Sequence, residues 1–531
     1  MAPHRRPLNV LLINPPYQTI TSNVGVGHQT PLGLLCVGGA LLDAGHRVSL
    51  IDAEARHWRD RQVVERVLEV GAEVVMIGHA GSTPAHPICV RLLDAIKAAC
   101  PEVVTVYGGV WPTYHDERAL DEHPCVDVVV RGEGEATAVA LADALAERGA
   151  RVDDLPLHGV AGTTFRDGLG EAVRNPDRPP IERLDDYRVG WELIEDWRLY
   201  RCFGLGRAAI MQFSRGCPHA CTYCGQHRFW VRWRHRDPAA FVDEIERLHR
   251  EHGVRFITLA DENPTTLRHV WQDLLERIAE RELDVHFFAT IRATDLVRDA
   301  DIMPLYRDAG ILYVLMGIES TDDAVLREVR KKSNSRVDFR ACRLLREHGI
   351  YSVIGYITGL GGERWRDFAR AGRVLAAYDG DFLNAMYVTP HSWTPYAMAQ
   401  ADRAVVEPDQ ARWDYRHQVL ATDRMRPWEV FAAVKLLELW FHLRPRRLWR
   451  MAFRSRLSLG QVLWTTLHVG GVWLAEIADY VARPGRRTAR GRPLRELIGE
   501  PAGLADPGVP VTVTARRPRS WRRRERAAPA A

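Results

Sequence analysis

Gln212-Phe213-Ser214-Arg215-Gly216-Cys217-Pro218-His219-Ala220-Cys221-Thr222-Tyr223-Cys224 is the stretch on which the reading of this 531-residue chain turns. Its cysteines are spaced C-x3-C-x2-C, short enough for three thiolates to converge on one centre at small loop-closure cost. Around a four-iron cluster, three thiolates leave one iron open to chelation by a small molecule carrying an amine and a carboxylate. A structural zinc site is the other reading, with Cys217, Cys221, Cys224 and either His219 or His227 as ligands. Zinc sites more often use paired C-x2-C or H-x3-H spacings, and no second pair follows here.

Composition bounds what surrounds this loop. The chain is long enough for about three domains, and a 46% hydrophobic content is ordinary for globular cores. The net charge is +4, and nearly all basic residues are Arg, so no nucleic-acid partner is expected. The six cysteines outside the loop, Cys36, Cys89, Cys100, Cys125, Cys202 and Cys342, stand singly without a disulfide framework. That fits a reducing, cytoplasmic location. The charged start Met1 to Asn9 passes into a strand-like run ending at Asn14-Pro15-Pro16, too short for a signal core.

Upstream, residues 8–148 alternate short apolar runs with amphipathic segments. Val10–Ile13, Val48–Asp52, Val74–Gly78, Val103–Tyr107 and Val126–Val130 predict five strands of a doubly wound, Rossmann-like α/β domain. Such sheets bind ligands beyond the strand carboxyl ends. Those ends carry Asn14 to Tyr17, His79-Ala80-Gly81-Ser82-Thr83, Gly108-Gly109-Val110-Trp111-Pro112-Thr113 and Arg131-Gly132-Glu133-Gly134-Glu135. No G-x-G-x-x-G follows the first strand, so a dinucleotide is not favoured. Residues 149–205 read as a linker rich in Pro, Asp and Arg, with Gly159–Thr164 as a short strand or hairpin.

Downstream, residues 206–395 return to a strand-then-helix rhythm. Ala208–Phe213, Phe256–Ala260, Asp284–Ala289, Leu312–Gly317, Val353–Thr358 and Leu383–Thr389 predict six parallel strands, with helices such as Pro238–His252 and Asp322–Glu328 between them. The count fits a partial (β/α)6 barrel, whose chemistry would gather at the strand carboxyl ends. Residues 396–482 predict a helical C-terminal region. Within it, Leu457–Ala475 carries no charged side chain yet holds Gln461, His468 and a Gly pair, which favours a buried or interfacial helix over a membrane span. Residues 483–531 read as a basic, disordered tail. At most peripheral membrane contact is expected.

The cysteine loop, with aromatic Tyr223 before its last cysteine, resembles the radical S-adenosylmethionine (SAM) enzymes, and the loops GGVWPT and RGEGE ahead of it resemble the cobalamin-binding domain of their B12-dependent class. The resemblance implies a [4Fe-4S] cluster on Cys217, Cys221 and Cys224, and SAM cleaved to a 5'-deoxyadenosyl radical. It also implies SAM contacts from Tyr223, Asp261, Glu262, Arg292 and Glu319, where the carboxylates would meet the methionine amino group or ribose and Arg292 the methionine carboxylate. Gly359, Gly361 and Gly362 would admit adenine, or form a plain helix-entry turn. Ser82, Thr83, Gly108 and Gly109 would hold cobalamin.

The D-x-H-x-x-G signature for a lower axial histidine is absent, since Asn14-Pro15-Pro16 stands in its place; His79 and His28 are possible exceptions. The late blocks Thr389–Pro395, Trp413–Leu420 and Met425–Trp428 are similar to the oxidative cyclases of tetrapyrrole synthesis. They imply a tetrapyrrole or other bulky small-molecule substrate and a low-potential electron donor of flavodoxin or ferredoxin type. Trp393, Tyr396, Trp413, Tyr415 and His417 could offer a face to a planar macrocycle, or pack as helix core. A C- or P-methyltransferase and a non-catalytic cobalamin or iron–sulfur sensor are the competing expectations.

Overall fold

The structure is a computed structural model that describes residues 6–148, 155, 157–226, 229–483, 491–499 and 512–513. The first sheet is built from strands β1 (Asn9–Asn14), β2 (Arg47–Asp52), β3 (Val74–Gly78), β4 (Val104–Gly108), β5 (Val128–Val130), β6 (Thr163–Arg166) and β7 (Ala172–Arg174), in the order β2-β1-β3-β4-β5-β6-β7. The five predicted strands are parallel, while β6 and β7 pair antiparallel as a hairpin. The expected linker therefore supplies two strands. The reason is the short edge strand β5, whose open backbone groups the hairpin covers.

Along β1, Val10 and Leu12 face one core cluster while Leu11 and Ile13 face another, as strand alternation requires. The first of these clusters continues into the second sheet without a break. Trp191, Trp197 and Tyr200 of the linker bridge it. Tyr200 donates to Asp52 at 2.9 Å and the Trp191 indole to Glu244 at 2.5 Å. Gly39 has no room for a Cβ here, because the Gly190 amide would lie at 2.8 Å.

The second sheet holds β8 (Arg207–Met211), then, after a small sheet of β9 (Ser214–Arg215) and β10 (Arg232–His235) to which Thr512–Val513 adds a third, parallel strand, β11 (Val254–Leu259), β12 (His286–Thr290), β13 (Ile311–Glu319), β14 (Tyr351–Thr358) and β15 (Phe382–Tyr387). Its order β15-β14-β13-β12-β11-β8 is sequential and all-parallel, an open six-stranded barrel. The helix Pro238–His252 has its predicted limits: Asp237 caps its first turn and Gly253, at φ 66°, ends it.

The C-terminal region is helical over Pro427–His442, Pro445–Phe453 and Leu459–Val481. No helix among the described residues is long and apolar enough to cross a membrane. The expected disordered tail needs correction over 491–499, where Leu494 and Ile498 are buried against Val405, Trp413 and Leu420. Leu494, Leu497 and Ile498 share one helical face within an Arg-rich composition. Most of the remaining tail lies outside the described residues.

Candidate active site

The cysteine loop leaves β8 and is shaped from below by two carboxylates. Asp261, at the end of β11, accepts hydrogen bonds from the Phe213 amide at 3.0 Å and from the Ser214 amide and hydroxyl at 2.5 Å. Glu262 accepts from the Gly216 amide at 3.1 Å and the Trp230 indole at 2.6 Å. Burial pushes Asp261 up to about 6 and Glu262 up to about 7. Both carboxylates thus have a part in folding the loop, beside the SAM contact expected of them. Gly216 sits at φ 100°, and a Cβ there would lie 2.6 Å from the Arg232 carbonyl oxygen, so only glycine lets the loop cross β10.

The three thiols lie within one another's electrostatic reach. Burial pushes Cys217 up to about 11 and Cys224 up to about 12, Cys221 raising both further. A metal centre needs these sulfurs as thiolates, and its own charge is what lowers buried thiols. Among the described residues no group of three His, Cys, Asp or Glu is arranged to hold a single metal ion. His227, one alternative zinc ligand, lies outside the described residues. His219, the other, is lowered to about 4 by burial, with the Arg292 guanidinium adding to it.

On the open side of the loop a polar group converges from three strand ends. Arg292, after β12, reaches the Cys221 sulfur at 4.0 Å and donates to the Lys331 carbonyl, while its buried Nε has no partner. Glu319, ending β13 at φ 65°, accepts from the Lys331 ammonium at 2.7 Å, and both side chains are buried. A Cβ on Gly317 would lie 2.7 Å from that ammonium. Tyr223 is held well above its usual range by burial, with Glu319 beside it. Arg292, Glu319, Tyr223 and Cys221 are thus brought together. At Gly359, Gly361 and Gly362 the space beside the backbone is free to 3.7 Å or more, while the amides of Gly359, Leu360 and Gly361 all donate to Glu363, as in a helix-entry turn.

The crevice of the first sheet opens toward the same loop. Ser82 adopts φ 54° and Gly109 φ 114°. A Cβ on Gly108 would meet nothing closer than Val130 at 3.8 Å. These positions form a backbone-lined floor with little side-chain bulk, which suits a large ligand with a long tail. The Thr83 hydroxyl is hydrogen-bonded to His391 Nδ1 at 2.8 Å. The segment Thr389–Trp393 bridges the two sheets. His115 meets Ser392 at 2.5 Å, Trp393 stacks on Tyr114, and the Trp393 indole donates to the Gly225 carbonyl at 2.8 Å. His391 Nε2 meets the Tyr415 hydroxyl at 2.7 Å. Neither histidine held in reserve for cobalt is free: His79 bonds Glu54 and the Gly81 amide, and His28 bonds His57.

Residues 211–375 match the Radical SAM superfamily and residues 19–158 the B12 binding domain. An anaerobic magnesium-protoporphyrin IX monomethyl ester cyclase from Synechocystis is 43% identical over 508 residues, covering 96% of this chain and 100% of that protein. This chain belongs to the B12-binding radical SAM enzymes. Its cofactors are an iron–sulfur cluster, SAM and cobalamin. A second anaerobic cyclase, from Rubrivivax gelatinosus, is 31% identical and covers 79% of this chain and 74% of that protein. The structure of the radical SAM methyltransferase TsrM from Kitasatospora setae, with cobalamin and a [4Fe-4S] cluster bound, superposes with a TM-score of 0.65. It is 17% identical and covers 90% of this chain and 100% of that one.

Two features of this radical SAM enzyme escape sequence reasoning. Lys331 had a signal: among 72 basic residues, lysine stands only at positions 97, 331, 332 and 435, and three of these meet shielded carboxylates. The RGEGE glutamates are the second. Glu133 and Glu135 grip Arg215 of the cysteine loop at 2.8 and 2.5 Å, and Glu133 also meets Arg234 at 2.8 Å. Burial opposes ionisation of Glu133, yet the two guanidinium groups hold it below the usual carboxylate range.

Of the aromatics expected at the barrel exit, Trp393, Tyr396 and Trp413 are core. His417 instead lines a small cleft beside Tyr387, Glu407, Arg416 and Tyr480.

Proposed function

We propose that this enzyme is an anaerobic oxidative cyclase that forms the isocyclic ring of chlorophyll pigments from magnesium-protoporphyrin IX monomethyl ester. The observation that carries the reading is the 43% identity to a cyclase over that protein's whole length. In this reading residues 8–148 bind cobalamin, 149–205 link, 206–395 form the SAM barrel, 396–482 form the helical region and 483–531 the basic tail. Cys217, Cys221 and Cys224 ligate the cluster, Arg292 meets the SAM carboxylate, and Glu319 with Tyr223 meets its amine or ribose. Ser82, Gly108 and Gly109 line the corrin site.

Bound there, the cofactors supply hydrogen-atom abstraction and a second redox centre. The chain's own residues orient and shield. Arg292 places a cation against Cys221, Lys331 holds the Glu319 side chain in place by a buried hydrogen bond, and Thr389–Trp393 ties the two sheets together at their junction. The conversion takes up one water and releases protons and electrons from the propionate-ester side chain. An electron carrier of flavodoxin or ferredoxin type therefore has to exchange electrons with the enzyme, which acts in the cytoplasm.

The test is anaerobic incubation of reconstituted enzyme with SAM, cobalamin, reductant and the magnesium-porphyrin ester in oxygen-18 water. The expected product carries a fifth ring and a labelled ketone. A product heavier by one methyl group, with no ring closed, would instead assign a methyltransferase.

A further inference from the structure

The three C-terminal helices bury one side and leave the other apolar and uncovered. Most of the exposed large apolar side chains among the described residues fall between Trp428 and Val481. On Pro427–His442 and its C-cap, beside Trp428, they include Leu436, Leu439, Trp440 and Leu443, spaced i, i+3, i+4, i+7 and so on one stripe. On Pro445–Phe453 they are Leu448, Trp449 and Phe453, the last 75% exposed. On Leu459–Val481 the stripe is Leu459, Leu463, Leu467 and Leu474, with Leu467 72% exposed. Solitary exposed leucines need no explanation, but stripes on three consecutive helices do.

The charge on these helices says what covers them. Their carboxylates are Glu429, Glu438, Glu476 and Asp479, and none is exposed. Lys435 pairs with Glu438 and Glu476, and Arg412 and His417 with Asp479, so three of the four are neutralised, while Glu429 caps the first turn of its helix through the Arg426 amide. The exposed charges of the two turns around the middle helix are Arg446, Arg454 and Arg456, with the Arg454 guanidinium over the Trp449 ring at 4.7 Å. None of the three makes an ion pair among the described residues.

Leucine stripes, tryptophan at the margin and unpaired arginine are the chemistry of a helix lying in the headgroup layer of an anionic bilayer. A second copy of the chain fits worse, because an isologous contact would set these arginines against their own kind.

We infer that the outer faces of Pro427–His442, Pro445–Phe453 and Leu459–Val481 dock the enzyme on an anionic membrane surface without crossing it. The site then works at the edge of the bilayer. This inference does not depend on which substrate is turned over.

The test is flotation of the full-length, cofactor-loaded enzyme with vesicles of phosphatidylcholine alone or with about one third phosphatidylglycerol. Co-flotation with the anionic vesicles, falling as salt rises, is expected. Reversing Arg446 and Arg454 to Glu should weaken partition on the order of thirtyfold or more, and Trp449→Ser with Leu463→Ser should lower it on both vesicle types. Cobalamin and iron content of each variant establish that it has folded. Absence of flotation by the wild type overturns the inference. So does a concentration-dependent dimer that the same apolar substitutions dissolve, which would make the face a contact between copies.

Discussion

Single residues decide whether the cysteine loop can close. Gly216→Ala places a methyl group in a left-handed backbone, against the Arg232 carbonyl. The strain is on the order of 1–3 kcal/mol. The expected outcome is a folded protein that loads cobalamin but loses most of its iron, measured by metal analysis after anaerobic reconstitution. Replacing Cys217, Cys221 and Cys224 together by Ala should remove iron and SAM cleavage alike, while stoichiometric zinc in the wild type would support the zinc reading. Lys331 acts on the neighbouring side. Lys331→Met leaves Glu319 buried without its cation, which should weaken SAM binding roughly tenfold or more, as for a lost charged hydrogen bond. Lys331→Arg should recover part of it by titration calorimetry. Equal affinity for wild type and Lys331→Met would make the pair purely structural.

Between elements, the RGEGE turn and Thr389–Trp393 hold the two sheets in register. Glu133→Gln leaves Arg215 and Arg234 short of a buried partner, a change that costs about 3–5 kcal/mol when an enclosed ion pair is broken. The predicted result is a lowered melting temperature together with reduced iron loading, although the residue belongs to the other sheet. The bridging histidines set a pH limit. Burial lowers His115 and His391 to about 4 from an ordinary value of 6.5, so both are neutral in the docked state. The separated state binds more protons between those values, and the docked arrangement therefore loses stability as pH falls from 6.5 toward 4. Protection of the amides at 389 and 391–393, taken relative to the intrinsic exchange rate at each pH, should fall over that window and stay level above pH 7. Protection that does not change with pH would show that these hydrogen bonds are not coupled to docking.

At the scale of the whole molecule, one continuous core joins the inner face of the first sheet to the barrel, so the crevice and the cysteine loop face each other as parts of one body. Large side chains at Gly108 and Gly109 should then exclude cobalamin, most strongly at Gly109, whose φ of 114° disfavours any side chain. A Gly109→Trp variant with full cobalamin content by absorbance would place the corrin elsewhere.

The sequence by itself determined what depends on local spacing. Period-two and period-3.6 patterns located the five parallel strands, the six barrel strands and the helix Pro238–His252, because burial of alternating or helical faces is written along the chain. The cysteine spacing marked the loop for the same reason. Tertiary structure alone decided how polar side chains are used. Asp261 and Glu262 fold the loop, Glu133 and Glu135 hold Arg215, and Thr83 meets His391 across 308 positions. A carboxylate or hydroxyl at a strand end carries the same local signal whether it faces a ligand or an amide. Only the packing of distant segments sets which partner desolvates it, and that partner determines its role.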